Sequence, residues 1–279
     1  MKSKNALRDQ FIPIVLTVVV FVAISLITYG LILLLNSFTK TDIVVKLRWS
    51  DVLIGMTIYL KTSVDFAILI GNLMARYEGV KNRIAIEVGT AFGNGLGTLI
   101  VLTIWNFFRD VEWLLAIMIL VAALVLFKLA EEGIEHAEEG EKQLPVGMRK
   151  LVDAVAKGLA FVNKGLAPIL RYIVPNVSMR PKQNMTFIGL FVASFTIPFI
   201  LGLDDFAGYV PLFSIVNVFG FSVGVFLGHM ILNMALFISP KQTVKAVKNP
   251  YISFVGSLAF IGLAVWGLWE VIRILFLHH

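Results

Sequence analysis

Seven stretches of this chain are largely apolar for eighteen residues or more: 11–36, 51–74, 84–105, 113–130, 184–203, 213–237 and 251–276. A bilayer core needs about 20 apolar residues per helix, so each stretch is a candidate span. The runs are continuous rather than alternating, which favours helices over the strands of a membrane barrel. Only 15% of the residues are charged, against roughly 25% in a soluble domain. We expect an all-α membrane protein with seven transmembrane helices. The first run follows Lys2, Lys4 and Arg8, is too long for a signal-peptide core and lacks a small-residue cleavage pattern, so we expect it to be retained as a span.

The formal charge of +6 sits in the connections and has a membrane explanation rather than a nucleic-acid one. With the amino terminus placed in the cytoplasm, seventeen Lys and Arg residues fall on the inner side and five on the outer side. This predicts an inside N-terminus and an outside C-terminus; the expected location is the cytoplasmic membrane of a bacterium or archaeon. There is no cysteine, hence no disulfide framework and no thiolate metal site.

The sizeable polar region is 131–183. It opens with the acidic run Glu131 to Glu139 and continues, from Met148 to Tyr172, with apolar residues at helical spacing. Leu151, Val155, Leu159 and Val162 share a face flanked by Arg149, Lys150, Lys157 and Lys164. Such a helix lies on the inner leaflet or packs on the rest of the loop. Pro168 and Pro175 limit its length.

Two short phrases occur twice. Asp65-Phe66-Ala67 returns as Asp205-Phe206-Ala207, and Phe92-Gly93…Gly97 returns as Phe219-Gly220…Gly224. Without the first span, six spans divide into three, the polar loop, and three. Three is odd, so the second set enters the membrane upside down relative to the first. The expected division is 1–50 (tail and first span), 51–130 (repeat A), 131–183 (cytoplasmic loop) and 184–279 (repeat B). The seven-helix chain is then one leading helix plus an inverted 3+3 repeat.

A carboxylate in hydrocarbon costs at least a few kcal/mol and marks a functional site by default. Asp65 has Lys61 one turn before it on the same face. The two form a self-satisfying buried pair, or Asp65 binds a cation and Lys61 is its counter-charge when the site is empty. Asp204 and Asp205 lie among Pro198, Gly202, Gly208 and Pro211, at a bent helix end that is either solvated or within the membrane. Glu87 begins the third span and either reaches water or lines the site. Asn72, Asn94, Asn217 and Asn233 are neutral oxygen donors suited to helix–helix hydrogen bonds or to ligation; Asn94 and Asn217 accompany the glycine phrases. His229 reads as a packing or hydrogen-bonding residue. This oxygen-rich, sulfur-free set suits a hard divalent cation or manganese.

The stretch Thr62-Ser63-Val64-Asp65-Phe66-Ala67-Ile68-Leu69-Ile70-Gly71-Asn72, followed by a basic loop and a glycine-rich third span, resembles the LysE-like transporter superfamily. The likeness is nearest the CadD and TerC types of metal exporter and covers about 51–276. In those families asparagine often follows this aspartate; Phe66 and Phe206 take that place here. The resemblance implies outward transport of a cation with Asp65 and Asp205 as central metal ligands.

The expected function is therefore secondary export of a divalent metal, exchanged for protons at a midmembrane carboxylate site. The metal is substrate rather than cofactor, the lipid bilayer is the surroundings, and a homodimer is one assembly open to the chain. The alternatives are an exporter of a small organic solute such as an amino acid, and a non-transporting membrane assembly factor. No nucleotide-binding phosphate loop occurs. The aspartates lack the Gly-x-Gly-Asp context of an intramembrane protease, residues 202–205 reading Gly-Leu-Asp-Asp. Only His229 among the histidines lies in a span, which excludes a paired-histidine haem. We expect no enzyme.

Overall fold

The computed structural model describes residues 3–38, 42–140, 144–173, 185–214 and 216–277, with side chains for all of these except 3–10, 13, 65, 166–173, 200–208 and 214. The described residues contain helices and no strand. In chain order the α-helices are α1 (Ser3–Asn36), α2 (Trp49–Thr62), α3 (Val64–Arg76), α4 (Val80–Phe108), α5 (Glu112–Glu139), α6 (Val146–Ile173), α7 (Phe187–Gly208), α8 (Val218–Ile238), α9 (Pro240–Val247) and α10 (Pro250–Ile272). Five segments among the described residues are long and apolar enough to cross a membrane: Ile14–Asn36, Val80–Phe108, Glu112–Glu139, Val218–Ile238 and Pro250–Phe276. The chain is an all-α integral membrane protein.

The stretch expected as one span at 51–74 is two helices. The segments Trp49–Thr62 and Phe66–Arg76 meet at 67°, and count as a sixth span if taken together. No proline or glycine marks the break. Ser63 leaves the helical region at φ −82° and ψ 27°, and the Thr62 hydroxyl turns back to donate to the Tyr59 carbonyl at 3.1 Å. The stretch at 184–203 is α7, whose described apolar part, Phe187–Phe199, is shorter than a span. Elsewhere the boundaries follow local chemistry. Gly79 takes φ +103° in the α3–α4 turn, a conformation that favours glycine. Asn249 caps α10 by accepting from the Tyr251 and Ile252 amides, with Pro250 in the first turn.

The chain divides into two compact units. The first comprises Met1–Thr103, Val177–Leu203 and Val216–Lys245. Its organising contact is α2 against α8, made backbone to backbone. A Cβ on Gly224 would overlap the Val52 carbonyl, and one on Gly55 would overlap the Phe221 carbonyl. The helices run parallel, since Gly220 meets Asp51 while Gly228 meets Tyr59. A second parallel pair, α4 with α7, uses the same device: Gly89 faces Phe191 and Ser194, and Gly93 faces Phe195 and Pro198. Lipid is as apolar as leucine, so close approach through small residues is what holds such helices together.

The second unit comprises Ile104–Asn176, Asp204–Ile215 and Ala246–His279. Here α5 and α10 run antiparallel, with Gly133 against Ser257, Gly140 against Pro250 and Gly267 against Ala123. Helix α5 continues through Glu139, so the acidic run that opens the polar region is a continuation of the preceding helix. The Lys128–Glu132 ion pair, 3.6 Å, lies on it. Helix α6 covers the amphipathic stretch expected at 148–172. Val152 and Leu159 are buried, and Asn163 Nδ2 donates to Glu131 Oε2 of α5 at 2.7 Å. Leu151, Phe161 and Val162 stay exposed.

Candidate functional site

The break after α2 positions a buried polar chain within the first unit. Tyr59 lies one turn before it and Phe66 just after it. His229 of α8 rests against both. The Tyr59 hydroxyl and His229 Nδ1 share a hydrogen bond of 2.8 Å, and the Phe66 and His229 ring centroids are 5.4 Å apart. Gly228 permits this approach: a Cβ there would lie 3.0 Å from Tyr59 Cδ1.

One turn further along α8 is Asn233. Its Nδ2 lies 3.0 Å from His229 Nε2. The same nitrogen donates to Glu87 Oε2 of α4 at 3.0 Å and to Thr90 Oγ1 at 3.1 Å. A primary amide has two hydrogens, so it cannot serve three neighbours at once. Which partner it serves depends on where the proton of the imidazole and that of the carboxyl reside. The Asn233 Oδ1 atom has no partner.

Glu87 is fully buried. Its Oε1 makes no hydrogen bond, and the Thr17 hydroxyl of α1 adjoins the carboxyl. Beside it is a small cavity lined by Thr17, Phe21, Ala91, Phe226 and Met230, with room for roughly one water. Among the described residues Glu87 makes no ion pair. Its described polar neighbours are an amide, an imidazole and a hydroxyl. A carboxyl without an ion-pair partner can take up a proton or a cation and release it again.

The other residues singled out from sequence are placed as follows. The side chains of Asp65, Asp204 and Asp205 lie outside the described residues. The backbone of Asp65 is in the first turn of α3, next to Phe66, and Asp204 and Asp205 are in the last turns of α7. Lys61 is partly buried two residues before the break and makes no ion pair with a described residue. Asn94 is buried two turns from Glu87 on α4, its Nδ2 without a partner. Asn217 caps α8: its Oδ1 accepts from the Gly220 amide at 3.2 Å, its Nδ2 donates to the Val44 carbonyl at 2.6 Å, and its backbone N–H donates to Asp51 Oδ2. Asn72 is exposed. Among the described residues no three His, Cys, Asp or Glu side chains cluster as a metal cage.

Tyr59, Thr90 and Thr17 were not read as site residues. Nothing local distinguishes them from other polar residues in a span. The i,i+4 spacing of His229 and Asn233 was the available signal, since it puts both on one face of α8.

No protein-family model, no curated protein and no solved structure matches this chain.

Proposed function

We propose that this membrane protein is a secondary transporter in which Glu87 takes up and releases a cation. The observation that carries the reading is the carboxyl of Glu87, buried in a membrane-crossing helix and joined through Asn233 to His229 and Tyr59 at the break between α2 and α3. Broken helices beside a carboxylate are how transporters present backbone and side-chain oxygens to an ion within the bilayer. The cargo we assign is a divalent metal, moved outward in exchange for protons, with Asp65 as a further ligand. The room beside Glu87, about one water, favours an ion over an amino acid.

We read the six later helical segments as an inverted repeat. Support comes from the exchange of partners. The opening helix of the first half, α2, packs on α8 of the second, and the opening helix of the second half, α7, packs on α4 of the first. The glycine phrase also extends further than its first six residues. Ile104 and Ile231 each follow the phenylalanine by twelve residues, and Asn106 and Asn233 by fourteen.

The test is flux in proteoliposomes holding a metal-sensitive dye, with manganese, cadmium or zinc outside and a proton gradient imposed in turn. Glu87→Gln is expected to lower metal-driven proton movement at least tenfold, and Asp65→Asn to lower metal flux likewise. Wild-type flux in Glu87→Gln would remove the site from the mechanism.

A further inference from the structure

The chain from Glu87 to Tyr59 leaves part of the polar interior of its unit unexplained. Four more side chains in that unit, Ser63, Asn94, Thr98 and Ser194, are at most 3% exposed. Among the described residues each has a polar atom with no hydrogen-bond partner: Ser63 Oγ, Asn94 Nδ2, Thr98 Oγ1 and Ser194 Oγ. A hydroxyl in an apolar helix ordinarily donates to the carbonyl four residues back. Thr28, Thr103, Thr196, Ser222 and Ser257 all do so here. Thr98 and Ser194 do not, and a buried polar atom left unpaired calls for a ligand or a reason.

Their placement supplies one. Glu87, Asn94 and Thr98 are spaced seven and four apart, which puts them within about 40° of one another on α4. The stripe rises about 16 Å along the helix axis. Phe92 and Leu96 occupy the opposite face and are exposed, as side chains toward lipid are. Ser194 approaches the same helix from α7 at Gly89, two residues from Glu87 and so on the other side of α4 from the stripe.

We infer that the stripe Glu87–Asn94–Thr98 walls a hydrated path by which a small hard cation reaches Glu87. The inference rests on the reading of Glu87 as the exchanging group and adds its route. Neutral amide and hydroxyl groups replace the hydration waters of such an ion without trapping it.

The chain has no cysteine, so a single introduced thiol reports its own surroundings. In membrane vesicles, Asn94→Cys and Thr98→Cys are expected to react with a cationic, water-soluble methanethiosulfonate at least tenfold faster than Leu96→Cys and Phe92→Cys. Manganese in the medium is expected to slow the first pair and leave the second unchanged. Thr98→Val, which keeps the shape and removes the hydroxyl, is expected to lower manganese flux at least tenfold. Thiols at 94 and 98 as inert as those at 92 and 96 would overturn the path, as would wild-type manganese flux in Thr98→Val. Thiol reactivity needs no turnover. A reactive stripe in a protein whose flux ignores Glu87→Gln therefore overturns the exchange site while keeping the path. An inert stripe with flux that depends on Glu87 overturns the path alone.

Discussion

At the scale of single residues, Asn233 is the member on which the polar chain depends. Its amide is the contact that links the Glu87 carboxyl to the His229 ring. Removing one partner of a buried hydrogen bond costs about 1–3 kcal/mol, whereas removing both is nearly neutral. Asn233→Leu is therefore expected to lower the thermal unfolding midpoint in detergent. Glu87→Leu combined with Asn233→Leu is expected to recover most of the loss. A double variant whose destabilisation equals the sum of the two single ones would show that the groups do not act together. The sequence exposed Glu87 as a candidate because a carboxylate in an apolar run is conspicuous. It did not expose Thr90 or Tyr59, because a threonine or tyrosine in a span is ordinary and acquires meaning through its neighbour.

At the scale of elements, the glycines decide which helices touch. The recurring Phe-Gly-x-x-x-Gly phrase was legible as a place for close contact, and the structure supplies the surfaces it meets: α2 for the copy on α8, α7 for the copy on α4. Gly224→Val would drive its side chain into the Val52 backbone, which cannot yield as a flexible side chain does. Overpacking of this kind costs typically about 1–3 kcal/mol and occasionally more. Loss of monodisperse protein in size-exclusion chromatography is expected for Gly224→Val. Gly147→Ala is expected to behave as wild type, because nothing lies within 4 Å of a Cβ there. Equal behaviour of the two would dissociate the glycine from the packing. The α6 helix was legible in its periodicity, and its boundaries, Val146–Ile173, lie close to those expected. The break at Ser63 was not legible. It has no proline or glycine, and the hydrogen bond of the Thr62 hydroxyl to Tyr59 is an option open to any threonine in a helix.

At the scale of the whole molecule, the testable property is orientation. The excess of Lys and Arg predicts that the α3–α4 turn is cytoplasmic and that the α4–α5 turn is outside. Glu78→Cys and Glu112→Cys, both at exposed positions, are expected to separate cleanly. An impermeant maleimide added to intact cells should label the second, and the first should label only after permeabilisation. The reverse pattern would invert the direction of transport assigned above.

The sequence by itself determined that this chain is helical, apolar and built for a membrane. Each span is a property of some twenty consecutive residues, and hydrophobicity over such a length needs no partner to be read. It also determined where α6 falls, since periodicity is local. Only the tertiary structure decided which buried groups meet. Glu87 and Asn233 are 146 residues apart and Tyr59 and His229 are 170 apart. No spacing rule reaches across such distances, and it is the close approach of helices through glycine that brings those atoms within hydrogen-bonding range.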